Sequence, residues 1–301
     1  MLGSDAYITL IADESIETII TSHFERIWKL IDQFEASFSR FIPGSELSKF
    51  NTRAGEKVTI SKEFSSILKA AKSAALESRQ LFNPFILPAL QRAGYVGSWI
   101  DKDLKPIDYT KRSVVDISGL EINDDWARIP KNSALDLGGI GKGYLLDLLA
   151  PTLISYKLTG FWISLGGDII CFGQDLDRKW RIGIADASDP SNIIAYAVND
   201  TNGLMAVATS GVTKRKGMKD SKPWHHIIDP ATQDSSKTDI LTATIVSMSA
   251  IQADIAAKVM VIEGSTAYNQ SKNKSIISSM IQYVDNENII VEHNGKLEFN
   301  K

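Results

Sequence analysis

DLGGIGKGY, at Asp136–Tyr144, is the most informative run in this chain. Its glycines, Gly138, Gly139, Gly141 and Gly143, let a backbone come close to a ligand, and they lead into Tyr144–Leu149, which reads as the start of a helix. Amides at a helix N-terminus favour phosphate, and Lys142 adds a point charge for the same anion. The run is not a Walker A loop, because Lys142 is followed by Gly143 rather than Ser or Thr, and residue 136 is Asp. The spacing of Gly139, Gly141 and Gly143 does not match GxGxxG either. A tight strand-to-helix turn with no ligand is the competing reading.

Working outward, Pro151 is expected to interrupt or kink the helix that follows. Short strand-like runs come next at Phe161–Leu165, Asp168–Phe172 and Trp180–Ile184. The stretch Asp239–Ser247 alternates β-branched residues, and Ala250–Ile262 returns to helical spacing. Upstream, Ala6–Ala12 reads as a strand, with Asp13 as the N-cap of a helix whose apolar stripe includes Ile20, Phe24, Ile27, Ile31 and Phe34. A second helix begins near Ser61 and carries Phe64, Ile67, Leu68, Ala71 and Ala75 on one face; between the two lies a polar loop, FSRFIPGSELSKFN. The end reads as a hairpin, Ile289–Glu292 and Lys296–Phe299, turning at Asn294-Gly295. Helices and strands do not alternate regularly enough for a doubly wound sheet, and no linker divides the chain, so one α+β domain over residues 1–301 is expected.

Three further segments carry chemical side chains. WHHIIDPATQ, Trp224–Gln233, holds two of the four histidines next to an Asp-Pro turn. A histidine of near-neutral pKa can take a proton from an attacking hydroxyl, whereas Asp229 is the residue type that forms a turn before Pro230. ATSGVTKRKG, Ala208–Gly217, places Ser210 and Gly211 in a small turn before Lys214, Arg215 and Lys216; it suits either a phosphate contact or a solvated hairpin tip. In QADIAAKVM, Gln252–Met260, Asp254 and Lys258 stand at i and i+4, an ion pair worth roughly 0.2–0.5 kcal/mol on a helix surface. Asp254 is also a ligand type suited to Mg²⁺.

Composition bounds the function. At 301 residues, 44% hydrophobic and 23% charged, the chain can build a sizeable core. A net charge of −3 supplies no basic field for nucleic acid or anionic lipid, so an anionic ligand needs a local cradle. The single cysteine, Cys171, excludes an internal disulfide and a cysteine-based zinc site. No segment reaches the roughly 18 apolar residues of a membrane span. The start has no basic region followed by an apolar one, so a cytoplasmic location is expected for the chain as given, or an extracytoplasmic one if a leader has been trimmed.

The order of these segments resembles that of the FAD:protein FMN transferases, the ApbE family. The matching elements are Leu2-Gly3-Ser4, Ser39-Arg40-Phe41, SELSKFN at Ser45–Asn51, FNPFILPAL at Phe82–Leu90 and DLGGIGKGY. They continue with Gly166-Gly167-Asp168, Thr209-Ser210-Gly211, HIIDP at His226–Pro230 and Ala253-Asp254, so the resemblance covers nearly the whole chain. It implies an α+β fold related to the tunnelling fold. It also implies transfer of the FMN half of FAD to a Thr or Ser of an acceptor flavoprotein, with release of AMP and assistance from Mg²⁺. Ser39, Arg40, Phe41, Asp136, Gly139, Lys142, Ser210, Gly211, His226 and Ile227 would then contact FAD. Gly141, Asp254 and position 258 would hold the metal, and His226 would be the base for the incoming hydroxyl. Attack on a pyrophosphate builds charge on oxygen, which cations and amide dipoles stabilise. Hydrolysis of FAD to FMN and AMP, or flavin binding without catalysis, are the alternatives.

The chain departs from the family pattern at several positions. Lys258 stands where many members place a Thr ligand, and Gly141 where they have Ala. Asn83 and Phe85 replace the Asp and Thr of an FDPT turn, and Thr213 replaces a Tyr after the TSG turn.

Overall fold

The computed structural model describes residues 5–13, 17–97, 114–268 and 275–300; the Leu2-Gly3-Ser4 element lies outside them. Strand β1 (Ala6–Ile11) is followed by α1 (Glu17–Phe38), α2 (Glu46–Asn51), α3 (Lys62–Glu77), α4 (Leu87–Ala93) and α5 (Gly141–Ser155). Strands β2 (Gly160–Leu165), β3 (Asp168–Asp175), β4 (Arg181–Ala185), β5 (Ile193–Val198) and β6 (Met205–Gly211) come next. A small hairpin, β7 (Lys216–Lys219) and β8 (Lys222–His225), precedes β9 (Ile240–Ser247), α6 (Ala250–Glu263), β10 (Ile276–Asp285) and β11 (Asn288–Asn294).

The main sheet runs β1-β2-β3-β6-β9-β10-β11, and every pairing in that path is antiparallel. Its strands bury alternate residues on opposite faces, as a strand period of two requires. On β3 and β6, Ile170, Ala206 and Ala208 face the helices, with Leu145, Leu149, Ala253 and Ala257 among their core neighbours. Cys171, Met205 and Val207 point the other way, against Trp180 and against Ile182 and Ala197 of a second sheet formed by β4, β5 and Glu298–Phe299. Three layers result: helices, the main sheet, and the second sheet. α5 and α6 carry apolar residues on nearly all sides because both lie in the interior, a pattern that periodicity alone cannot orient.

The helix predicted near Ser61 forms with that residue as its N-cap, and all five of its expected inward residues are buried. Expectations fail at the polar loop, at Pro151 and at the last hairpin. The polar loop contains α2, because Ser45 caps it through Ser48 N–H and Leu47 and Phe50 find buried places. Helix α5 continues through Pro151 to Ser155. The terminal hairpin turns at Asn286-Glu287, between β10 and β11, where φ values of 47° and 69° meet the demand of a two-residue primed turn. Glu298–Phe299 leaves for the second sheet and pairs with β5.

Candidate functional site

The glycine-rich run enters α5 from a backbone that is fixed on both sides. Asn51 donates to Leu135 O at 2.9 Å and accepts from Leu135 N–H at 2.8 Å, tying α2 to the residue before Asp136. Asp136 accepts from Gly138 N–H at 2.7 Å and pairs with Arg40 Nε at 2.6 Å, both side chains being buried. Arg40 also donates to the carbonyls of Tyr95 and Val96, each at 3.2 Å. Ser39 is buried, and its carbonyl accepts from Ser45 Oγ at 2.8 Å. Arg40 and Asp136, both expected to contact a flavin nucleotide, are therefore engaged with each other and hold the turn in shape.

Gly143 serves helix packing. A Cβ there would lie 2.7 Å from Ala250 O and 2.9 Å from Ile251 Cα, so this position sets how closely α5 approaches α6. Asp147, one turn further on, accepts from Ser249 Oγ at 2.6 Å and from the amides of Ala250 and Ile251 at 2.7 and 3.0 Å, which caps α6 from the neighbouring helix. The first turn of α5 has no side-chain cap of its own.

This helix pair brings four charged side chains together. Lys142 Nζ lies 2.6 Å from Asp168 Oδ2, and Asp168 is delivered by the tight Gly166-Gly167 turn between β2 and β3, both glycines at positive φ. Lys258 pairs with Asp254 Oδ1 one helical turn back, and Asp254 is 1% exposed. This is a buried ion pair rather than the surface pair expected from its spacing. Lys258 Cε is also close to the glycine turn, 3.5 Å from where a Cβ on Gly139 would stand. Burial would lower the Lys142 pKa, but the carboxylates of Asp168 and Asp254 outweigh it and hold the ammonium above its ordinary range. Burial and the Asp254 charge raise Asp168, opposed by Lys142 and Lys258. The Lys142 ammonium is thus held charged close to the Asp254–Lys258 pair.

A second wall is aromatic. The Arg40 guanidinium sits 4.2 Å over Phe41 and 4.8 Å over Tyr95. Tyr95 stacks on Trp224 at 6.3 Å and meets His226 edge-on at 6.3 Å. Trp224 is held between Gly94 and Gly217, where an added Cβ would come within 2.8 and 3.0 Å of its Nε1. Lost hydration lowers the His226 pKa to about 3, helped by the charges of Arg215, Lys258, His225 and Lys142, so its imidazole is neutral. His226 Nδ1 is buried with no hydrogen-bond partner. His225 lies at the strand end, with Nε2 3.1 Å from Ser236 O, and Asp229 forms the expected turn by accepting from Ala231 N–H at 2.9 Å. Ile227 is buried.

Ser210 and Gly211 do not form a turn. They end strand β6, paired with Ala243 and Thr242, and the hairpin tip falls later, at Asp220-Ser221. The residues that sequence reasoning left without a role are Asp168, Asn51, Asp147, Tyr95 and Trp224. Asp168 had a signal in its Gly-Gly turn. Of the other four, Asn51 acts on a residue 84 positions away, Asp147 on one 102 away, and Tyr95 and Trp224 on each other across a still longer separation, through contacts that a linear pattern does not display.

A divalent ion fits this arrangement poorly. Asp254 Oδ1 is taken by Lys258 and Asp168 Oδ2 by Lys142, so two ammonium groups already neutralise two carboxylates. Asp254 Oδ2 is buried without a hydrogen-bond partner, the one feature that invites another donor. In the ligand-free protein, a doubly charged ion added where these two pairs already sum to zero leaves an uncompensated charge of a kind that costs several kcal/mol, of the order of 3–5.

The comparisons with known proteins agree with this architecture. The chain superposes on the ApbE protein of Thermotoga maritima with a TM-score of 0.80 at 23% identity, covering 97% of this chain and 94% of that one. The flavinyl transferase ApbE of Pseudomonas stutzeri, in its apo form, aligns with a TM-score of 0.78 at 17% identity over 97% and 92% of the two chains. Among curated relatives, the FAD:protein FMN transferase of Klebsiella pneumoniae is 25% identical over 262 residues, 83% of this chain and 79% of the relative. That of Treponema pallidum is 27% identical over 258 residues, 80% and 71% of the two. The ApbE family profile matches residues 2–278, and the chain belongs to that family.

Proposed function

We infer that this chain is an FAD:protein FMN transferase acting as one domain, which moves the FMN half of FAD onto a Thr or Ser hydroxyl of an acceptor protein. Its relatives carry that name, and family membership spans nearly the whole chain. The observation that carries the reading is the pair of buried cations, Lys142 and Lys258, beside the uncapped first turn of α5 and next to an aromatic wall. Positive charge and helix amides suit a pyrophosphate, and Phe41, Tyr95 and Trp224 suit the flat rings at either end of a dinucleotide.

In the reaction, the acceptor oxygen forms a bond to the FMN phosphorus as the bond from that phosphorus to the bridging oxygen breaks. The bridging electron pair leaves with AMP. Lys142 and Lys258 stabilise charge growing on the nonbridging and leaving oxygens. His226, neutral and with Nδ1 unpaired, receives the hydroxyl proton and passes it to the departing phosphate or to water. A transition state with little bond formation to the incoming oxygen needs only a weak base, which a low imidazole pKa supplies. Magnesium assistance, implied by the family pattern, would have to rely on Asp254 Oδ2 and the Gly141 carbonyl.

Incubation with FAD and an acceptor carrying the target Thr tests the proposal. Flavin fluorescence that stays with the acceptor in a denaturing gel is the expected result. Free FMN plus AMP would establish hydrolysis instead, and intact bound FAD would establish a binding module. His226→Ala is expected to slow transfer by about 10²–10⁴-fold, as loss of a proton acceptor does; an unchanged rate would remove His226 from the mechanism.

A further inference from the structure

We propose that the Lys258 ammonium occupies the place a divalent cation would take against Asp254, so that this chain works on its dinucleotide without a metal. The proposal rests on the transferase reading for its substrate, but its central claim concerns cation binding and can be measured without turnover.

Three observations carry it. First, Lys258 and Asp254 form an ion pair inside the molecule, with side-chain exposures of 16% and 2%, so the pair is a built part of the interior rather than a chance surface contact. Second, the lysine reaches the glycine turn as well as the carboxylate: its Cε stands 3.5 Å from where a Cβ on Gly139 would be, while its Nζ pairs with Asp254 Oδ1. A cation bridging a carboxylate and a phosphate cradle would sit between those same two groups. Third, each of the two carboxylates already has its own ammonium. Lys142 is paired with Asp168 and Lys258 with Asp254, giving a sum of zero before any ligand arrives.

The groups facing this cluster from other elements strengthen the case. Arg215 and the two lysines all act on His226, so the neighbourhood is rich in fixed positive charge that a pyrophosphate can use directly. A lysine also differs from a bound ion in that it cannot dissociate. The cation is present in the ligand-free protein, and the cost of burying it is met on folding by Asp254. The unpartnered Asp254 Oδ2 shows that the carboxylate is not fully satisfied by the lysine and keeps acceptor capacity in reserve. Replacing Lys258 by a short hydroxyl side chain would uncover both oxygens and leave a net charge of −1, the condition under which a divalent cation becomes favourable.

The experiment compares the full-length protein with Lys258→Thr. Magnesium is titrated calorimetrically and by thermal shift into each, without FAD and after removal of bound metal by chelation. The wild-type protein is expected to show no heat of binding and no change in Tm at millimolar Mg²⁺, whereas Lys258→Thr gains both. In the transfer assay, EDTA is expected to change the wild-type rate less than twofold and to abolish that of Lys258→Thr, with Mg²⁺ restoring it. Wild-type protein that binds Mg²⁺ stoichiometrically, or that loses transfer in EDTA and regains it with Mg²⁺, overturns the proposal while leaving the transferase reading intact. If neither protein transfers FMN under any condition, the transferase reading fails, and the calorimetry still decides the cation claim. Should Lys258→Thr fail to fold, the wild-type titration and its EDTA response decide alone.

Discussion

Lys142 and Asp168 meet at 2.6 Å in a place that water scarcely reaches, and that contact has a measurable price in stability when one side is lost. Lys142→Met leaves Asp168 charged, buried and unpaired, so we expect about 3–5 kcal/mol of destabilisation in urea unfolding. Adding Asp168→Asn to the same chain removes the stranded charge and should recover much of the loss; a double variant as unstable as the sum of both singles would show that the pair is not coupled. His226 carries a pH effect of a different kind. The folded protein protonates it only near pH 3, against an ordinary histidine value of 6.5. Between those values the unfolded chain holds the extra proton, so acid favours unfolding. Its contribution is complete above pH 6.5 and is lost as the pH falls towards 3. His226→Gln should therefore flatten the fall of Tm between about pH 6.5 and 4, and a slope equal to that of the wild type would count against the buried neutral imidazole. The identity of these residues was readable from motif order, but their pairings were not. Arg40 and Asp136, both expected as ligand contacts, also pair with each other, a link that motif order does not show, because a buried charge must find an opposite charge within reach.

At the scale of elements, the site depends on how α5 lies against α6. Asp147 caps α6 across the gap, and Gly143 lets the backbones close up. Asp147→Ala removes three acceptor contacts at a helix start and is expected to cost about 1–2 kcal/mol by chemical denaturation, with a matching loss of amide-exchange protection at Ala250 and Ile251. Protection unchanged from the wild type would assign the cap elsewhere. Helix α3 was legible because its apolar spacing matches the helical period, and β2, β3 and β9 because they are short runs rich in β-branched and aromatic residues. Helix α2 was hidden because six residues rich in polar side chains look like loop until Leu47 and Phe50 find a core to enter. The last hairpin was misplaced for a related reason. Asn-Gly is the stronger local turn signal, yet the register of β10 with β11 puts the turn at Asn286-Glu287, and sheet pairing outweighs a local preference.

For the molecule as a whole, the three layers make Cys171 a reporter of global opening. It lies between the main sheet and the second sheet, and burial pushes its thiol up to about 12. We expect this sole cysteine to resist a thiol reagent in the native protein and to react only as fast as the two sheets separate, so that its rate rises in step with unfolding in urea. Prompt labelling under native conditions would mean that the second sheet opens independently. Among the described residues, no helix is long and apolar enough to cross a membrane.

The linear order of the motifs was sufficient to identify the family, and hydrophobic period was sufficient for an α+β architecture with most of its long elements, since both are properties of neighbouring residues along the chain. What could be known only after folding is the electrical state of the site. Lys258 sits four positions from Asp254 in any helix, but whether that pair is a solvated contact or a buried cation against Gly139 depends on which face of α6 is covered. A helix that is apolar on nearly all sides does not reveal that face. The glycine run at Asp136–Tyr144 carries Lys142 in its own sequence, whereas Lys258 reaches the Gly139 turn only because α6 packs on α5.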